Sequence, residues 1–308
     1  MSGSGHSPAL HINSTLSERT EEIMKLGAMV ESFRLGFRGG VEKAAEIGVD
    51  GVQAGATEGW LAPENMTAER IREALDIVKS NGLVFSALCG DFGHGFGDAE
   101  KNKVYVDKSK RVLDLSMELG CRIVTTHIGT VPEEECETKE IMRSACRELA
   151  EYADSVGAVF AVETGPEKGY ILADFLASLG AEGVRVNFDP ANLVMCVDDR
   201  PEEALKYLGK YVVHTHAKDG IMLQKKLDEA VEMNEEAKSH AAMLAMGERY
   251  LELPLGEGDV NFDVYLPALK ATGFDGFLTI EREVGGTPER DIALAATFLR
   301  EKMAKFGL

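Results

Sequence analysis

The chain has 308 residues, with 52 Asp and Glu against 33 Lys and Arg, and its formal net charge at pH 7 is −19. Affinity for nucleic acids and for anionic membrane surfaces depends on Lys and Arg, so this balance argues against both as partners. The composition, 44% hydrophobic and 28% charged, is typical of a soluble globular protein that contains either two domains or one large α/β barrel.

The N-terminal segment and the cysteines indicate the compartment. Residues 1–24 are polar and lack the apolar segment of a secretory signal, and no apolar stretch later in the chain is long enough to span a membrane. The five cysteines are widely scattered and include no CxxC pair, which favours reduced thiols over a disulfide framework. We therefore expect a cytoplasmic protein that begins with a polar tail.

From residue 25 onward the chain repeats one unit: an amphipathic helix, a glycine and a short apolar run. The first run, KLGAMVESF, has no comparable helix before it, and seven more follow the glycines Gly48, Gly82, Gly120, Gly157, Gly183, Gly209 and Gly273. Glycine just past a helix end supplies the left-handed conformation with which many helices end. The apolar runs lack polar alternation, which is typical of parallel strands buried on both faces.

Eight strands alternating with helices predict a single (β/α)₈ TIM barrel over residues 25–308, with a doubly wound open sheet as the alternative. The interval between Gly209 and Gly273 is about twice as long as the others. Within it, residues 221–253 are rich in Glu, Lys, Ala and Met and contain no β-branched run. We predict a helical insertion after strand 7, either a lid over the substrate or a packing and oligomer contact.

Polar side chains end the predicted strands, and active sites of such barrels lie at these C-terminal ends. In chain order they are Glu31, Arg34, Gln53, Asp91, His94, His127, Glu163, Asp189, His214, His216, Glu281 and Glu283. Strands 5 to 8 contribute a Glu, an Asp, a His and a Glu, and three carboxylates at one point repel one another unless a cation is present. This predicts one divalent metal ion, with Mn²⁺ as first choice and Mg²⁺, Co²⁺, Zn²⁺ or Fe²⁺ as others. Helix caps and structural ion pairs are the alternative.

The strings VETGPE, NFDPANL, HTHAKDG, PLGEGDVNF and LTIERE occur in the order and spacing of the xylose isomerase-like TIM-barrel family, which the chain resembles after its N-terminal tail. That family includes sugar isomerases, ketose 3-epimerases, inosose dehydratases and type IV endonucleases. The resemblance implies that Glu163, Asp189, His216 and Glu281 hold the metal. His216 is preferred to His214 because it occupies the histidine of the family's H-x-K-D string.

A metal chelated by a substrate carbonyl and the adjacent hydroxyl stabilises an enediolate, and a carboxylate can remove the proton that forms it. The resemblance implies that Glu163 and Glu281 are the acid/base pair. We therefore predict a metal-dependent sugar or polyol isomerase or epimerase.

A lyase that uses the same enediolate is the alternative, either an inosose-type dehydratase or the barrel subunit of an enzyme that cleaves C-glycosides of 3-keto sugars. In a lyase His127 would assist the leaving group. The acidic charge and the small number of histidines disfavour a barrel directed at nucleic acid.

Four further residues are candidates for the site. His127 either orients a substrate hydroxyl and moves a proton or is structural. His94 contacts substrate or is an exposed loop residue, Asn192 binds substrate or the loop backbone, and Lys218 binds a substrate oxygen or pairs with a carboxylate. Ketose 3-epimerases carry a substrate-binding His at the position of Asn192, and the insertion displaces their substrate-binding Arg. The expected partner is a small carbohydrate or polyol, bound by a homo-oligomer or by a barrel with a small partner subunit.

Overall fold

Eight parallel strands close into a barrel in the part of the chain that the computed structural model describes, residues 24–308. The ten strands are β1 (Lys25–Met29), β2 (Gly51–Gly55), β3 (Val84–Cys89), β4 (Ile123–Thr126), β5 (Val159–Glu163), β6 (Val184–Phe188), β7 (Val212–Ala217), β8 (Asp219–Met222), β9 (Tyr250–Leu253) and β10 (Phe277–Ile280). All except β8 and β9 belong to the barrel, which β10 closes by pairing with both β7 and β1. The predicted (β/α)₈ barrel is confirmed, and the open sheet is excluded.

Helices cover the outside of the barrel. They are α1 (Gly36–Ile47), α2 (Ala68–Ser80), α3 (Ala99–Leu119), α4 (Glu137–Val156), α5 (Gly169–Ala177), α6 (Pro190–Val197), α7 (Pro201–Leu208), α8 (Leu223–Glu229), α9 (Glu235–Ala245), α10 (Phe262–Ala271) and α11 (Pro288–Phe306). In α4 the buried residues recur every three or four positions and so form one apolar face: Met142, Ala145, Cys146, Leu149 and Ala153. This periodicity is the sequence signal by which the helices were predicted.

Three expectations from the sequence concern the compartment: the polar tail, the lack of a membrane-spanning segment and the reduced cysteines. Residues 1–23 of the predicted polar tail lie outside the described residues, and Met24 is already buried against the barrel. Within residues 24–308 no helix combines the length and apolar character needed to cross a membrane. All five cysteines are free thiols, with Cys136 and Cys196 exposed.

The glycines between helices and strands have two different roles. Five of the seven have the expected positive φ, but Gly183 and Gly209 do not. A Cβ atom at Gly183 would lie 2.1 Å from the carbonyl oxygen of Ala150, and one at Gly209 would lie 2.6 Å from Thr272. At these two positions the left-handed prediction is wrong, because close packing rather than backbone conformation requires glycine.

The insertion after β7 combines strands with helices. Helices α8 and α9 lie within the predicted helical segment 221–253, but both of its ends are extended. The antiparallel pair β8 and β9 forms a two-stranded ribbon in which Gly220 faces Glu252 and Met222 faces Tyr250. The purely helical prediction is therefore wrong at the ends. Four-residue strands that pair only with each other are too short to show an apolar period in the sequence.

Gly183→Ala tests the packing role of this glycine. Because the new methyl group would overlap the Ala150 carbonyl, we expect a loss of about 1–3 kcal/mol in the free energy of unfolding, measured by urea denaturation. Gly286→Ala is the matched control, since its Cβ would meet no atom within 4 Å, and it should change stability by less than about 0.5 kcal/mol. Equal stability of the two variants would contradict this explanation.

Candidate metal centre

Four polar side chains meet at the C-terminal ends of four neighbouring barrel strands. Glu163 is the last residue of β5, Asp189 follows β6, His216 lies near the end of β7 and Glu281 follows β10. Asp189 also begins α6, where its Oδ1 accepts the Ala191 N–H at 2.7 Å. Because β5, β6, β7 and β10 are consecutive in the barrel, these strand ends lie side by side.

One ligand atom from each of the four residues lies within 4.8 Å of all the others. His216 Nδ1 is 3.5 Å from Glu163 Oε1, 3.7 Å from Asp189 Oδ2 and 3.3 Å from Glu281 Oε2. All four side chains are buried, and both Asp189 Oδ2 and His216 Nδ1 lack any hydrogen-bond partner. Buried polar atoms are normally paired, so two unpaired atoms directed at a common point fit a bound cation. Three oxygen donors and one imidazole suit a divalent ion.

The charges of the cluster also call for a cation. Burial raises the pKa values of Glu163 and Glu281, but nearby positive charges outweigh it and lower both below the usual range. Burial lowers the pKa of His216, whereas the two glutamates raise it well above its usual value. The two glutamates are therefore ionised and held close to each other by positive charge. A divalent ion would supply that charge, and His216 would then coordinate as a neutral ligand.

The ring of His216 is oriented by Gln53 of β2, which β1 and β10 separate from β7 in the barrel. Its Nε2 lies 3.1 Å from Gln53 Oε1, and Gln53 in turn donates to Thr125 Oγ1 at 3.1 Å. A proton on Nε2 leaves the Nδ1 lone pair directed at the carboxylates. His214 Nε2 contacts the same Gln53 oxygen at 2.9 Å, and burial lowers the pKa of His214 to about 3, so it is neutral and lies outside the cluster.

Two asparagines hold Glu163. Asn187 donates to Glu163 Oε2 at 3.1 Å, and Asn192 donates to Glu163 Oε1 at 2.9 Å and to the Thr164 carbonyl at 3.2 Å. The structure thus places Asn192 beside the cluster with its amide nitrogen already engaged. Its contact with substrate stays a prediction. Asn187 was not identified from the sequence, although the NFDPAN string contains it.

His127 connects Glu163 to a second carboxylate. Its Nδ1 lies 2.8 Å from Asp91 Oδ2 and its Nε2 lies 3.3 Å from Glu163 Oε1. The charge of Glu163 raises the pKa of His127 to about 11, with burial opposing and Asp91 assisting. His127 is therefore a protonated imidazole that Asp91 orients, and it can donate a proton at the edge of the cluster. The sequence marked Asp91 as a strand-end residue without assigning it this role.

Lys218 and His94 have unlike surroundings. Lys218 is buried, donates to Glu281 Oε2 at 3.0 Å and also donates to Glu283. Burial lowers the pKa of Lys218, but the surrounding carboxylates raise it well above its usual value. The structure thus shows the ion-pair alternative for Lys218. His94 is exposed in the loop after β3, where its ring packs 4.7 Å from that of Tyr105, and it lines a small cavity together with His127.

The fold and the cluster together define a TIM barrel with a candidate metal site at its C-terminal mouth. The sequence profile of the xylose isomerase-like TIM barrel matches residues 41–302, and the chain belongs to this family. An uncharacterized protein of Methanocaldococcus jannaschii is 23% identical over 266 residues, which are 79% of this chain and 78% of that protein.

Similar solved structures share the fold. A xylose isomerase domain protein from Planctomyces limnophilus superposes with a TM-score of 0.73 at 24% identity, covering 92% of this chain and 98% of that one. A D-tagatose 3-epimerase-like protein gives 0.69 at 19% identity, covering 92% and 98%. The probable 3-DHS dehydratase AsbF of Bacillus anthracis gives 0.68 at 18% identity, covering 90% and 99%. The family and these neighbours thus include epimerases and a dehydratase.

Metal addition tests the cluster. Because the ligands are gathered in the folded chain only, Mn²⁺ at about 100 times its Kd should raise the free energy of unfolding by about 2.7 kcal/mol, seen as a higher Tm. The side chain of Asn has one oxygen instead of two and no charge, so Asp189→Asn should abolish most of this rise. An equal rise in the variant, or no rise with any divalent ion, would contradict the metal site.

Proposed function

We propose that this protein is a divalent-metal-dependent isomerase or epimerase of sugars or polyols that removes a proton next to a carbonyl group. One observation carries the proposal: three buried carboxylates and an imidazole converge on one point, and two of the four ligand atoms have no other partner. The D-tagatose 3-epimerase-like neighbour supports a reaction of this class.

Glu163, Asp189, His216 and Glu281 would hold the ion, with Mn²⁺ as first choice. When bound, the ion acts as a Lewis acid on a carbonyl oxygen, which makes the neighbouring C–H group more acidic. A neutral His216 that binds the ion through Nδ1 carries its proton on Nε2, and this N–H donates a hydrogen bond to Gln53 Oε1. Gln53 is therefore part of the support for the ion.

Glu163 and Glu281 are the proposed acid/base pair. Both are ionised, as a group that accepts a proton from carbon must be. They come from β5 and from the end of β10, which β6 and β7 separate in the barrel, so they approach a substrate from different sides. One can take the proton, and the other can return one.

The flanking residues would bind and orient the substrate. His127 has a proton to donate to a substrate oxygen, and Asp91 fixes its ring. Lys218 lies one hydrogen bond away from Glu281, where its charge favours the ionised carboxylate. His94 would contact the more distant end of a substrate from the loop after β3, and Asn192 would do so from the start of α6.

A lyase is the second candidate, favoured by the Asp91–His127 pair. Elimination next to a carbonyl needs an acid that protonates the leaving group, and His127, whose ring Asp91 orients, lies 3.3 Å from the proposed base Glu163. The AsbF neighbour, named as a probable dehydratase, supports this alternative.

Cytoplasmic location and assembly as a homo-oligomer or with a small subunit stay proposals from composition and family resemblance.

Deuterium exchange separates the two candidates. The Mn²⁺-loaded protein is incubated in D₂O with ketohexoses, inososes and 3-keto sugars, and products are followed by NMR and mass spectrometry. We expect deuterium at the carbon next to the carbonyl without loss of water, and Glu281→Gln should slow this exchange by about 10²–10⁴-fold. A product lighter by water, or a released aglycone, would favour the lyase. If neither reaction occurs with any of these sugars, both candidate functions are contradicted.

His127→Asn tests the role of the protonated imidazole. If the protein is an isomerase, proton exchange next to the carbonyl should persist at a reduced rate, because Glu163 and Glu281 are intact. If it is a lyase, elimination should fall by about 10²–10⁴-fold while exchange continues. His94→Asn is the matched control, since His94 contacts none of the four cluster residues, and it should affect KM rather than kcat. Elimination at an undiminished rate in His127→Asn would exclude His127 as the acid.

A further inference from the structure

The insertion after β7 reaches the metal cluster through one buried side chain, Glu252 of β9. Glu252 is only 5% exposed, although it lies in a segment that leaves the barrel. It faces Gly220 across the ribbon, two residues after Lys218. The ribbon therefore brings a carboxylate back to the end of β7, close to where His216 is placed.

Glu252 holds the backbone that directly follows the metal ligand Glu281. Its Oε1 accepts a hydrogen bond from Arg282 Nη1 at 2.6 Å, and its two oxygens accept the Glu283 N–H at 3.2 and 3.3 Å. Arg282 is buried as well and donates its Nε to Asp291 of α11 at 2.9 Å. Hydrogen bonds of this kind, one shell outside the ligands, fix the orientation of the ligands themselves.

Glu252 also balances the positive charge beside the ligand. Its Oε2 lies 3.9 Å from Lys218 Nζ, which donates to Glu281 Oε2 at 3.0 Å. Glu281 Oε2 is the same atom that faces His216 Nδ1 in the cluster. Without Glu252, the charges of Lys218 and Arg282 would be less well neutralised, and Lys218 would compete more strongly with a metal ion for Glu281.

The ribbon is attached firmly to the barrel. A Cβ at Gly220 would lie 2.3 Å from Met195 Sδ, so the ribbon backbone packs directly on α6, the helix that Asp189 begins. Asp219 accepts the N–H groups of Gly256, Gly258 and Val260, which ties the start of the ribbon to the chain that follows it.

Helices α8 and α9 pack chiefly on each other and, through α8, on the ribbon, and the side chain of Leu223 at the start of α8 is buried. In the described chain their ion pairs to the barrel are made by two partly exposed lysines, Lys225 to Asp198 and Lys226 to Asp259.

We propose that Glu252 is a positioning residue for Glu281, so that the ribbon is a structural part of the metal centre and helices α8 and α9 are not needed for metal binding. This inference rests on the proposed function, since it concerns the same metal site. It divides the insertion into two parts with different roles. The sequence predicts either a lid or a packing and oligomer contact for the whole segment, and the positioning role proposed for the ribbon differs from both.

The test measures the Kd of Mn²⁺ by the electron paramagnetic resonance signal of the free ion. Four proteins are compared: wild type, Glu252→Gln, Asp291→Asn and a deletion in which Asn-Gly replaces residues 224–248 between the ends of the ribbon. Asp291→Asn is the matched control because it removes one carboxylate charge from the same Arg282 but leaves Lys218 and the Glu283 N–H bonded. The Tm of each metal-free protein reports folding separately.

We expect Glu252→Gln to weaken Mn²⁺ binding by about 10-fold or more, as changes to residues that support metal ligands do. Asp291→Asn and the deletion should lower the Tm while keeping the Kd within about 3-fold of wild type. An unchanged Kd in Glu252→Gln, an equal loss in Asp291→Asn, or a comparable loss in the deletion overturns the inference. Wild-type protein that binds no Mn²⁺ overturns the proposed function together with it, whereas the other outcomes leave the proposed function standing.

Discussion

The mutual repulsion of three buried carboxylates is the constraint on which the mouth of this barrel depends. Glu163, Asp189 and Glu281 are held together by a closed sheet whose strand ends cannot separate, and burial by itself would raise the pKa values of the two glutamates. Positive charge from His216 and from its neighbours lowers the pKa values of Glu163 and Glu281 and keeps these two ionised. The unpaired Asp189 Oδ2 and His216 Nδ1 show that side chains alone do not satisfy the cluster. A divalent ion would complete it, and the remaining polar residues are arranged around that need.

The two glutamates of the cluster have different surroundings. Glu163 is held by two asparagines and faces the protonated imidazole of His127. Glu281 faces the ammonium group of Lys218, behind which lie Glu252 and Arg282. Unlike surroundings suit the proposed acid/base pair, whose members would act on opposite sides of one substrate. They are compatible with both proposed reactions, since loops rather than the fold decide the outcome.

The insertion after β7 shows how an added segment becomes part of a site. Its ribbon packs on α6 and returns a carboxylate to the loop after β10. Within residues 24–308, the ion pairs that join its helices to the chain outside the insertion are made by partly exposed lysines.

The sequence by itself determined the barrel and the order of polar residues at its mouth. Both follow from local patterns, since apolar runs between amphipathic helices specify parallel strands and parallel strands place their C-terminal ends together. Only the tertiary structure decided the pairings: Asp91 with His127, Asn192 with Glu163, and Glu252 with the backbone after Glu281. These contacts join residues far apart in the chain, and they depend on side-chain direction and packing that no local pattern records. The −19 charge of the chain shows the same division: composition alone argues against nucleic acid as a partner, but only the tertiary structure brings three of the negative charges together where the strand ends meet.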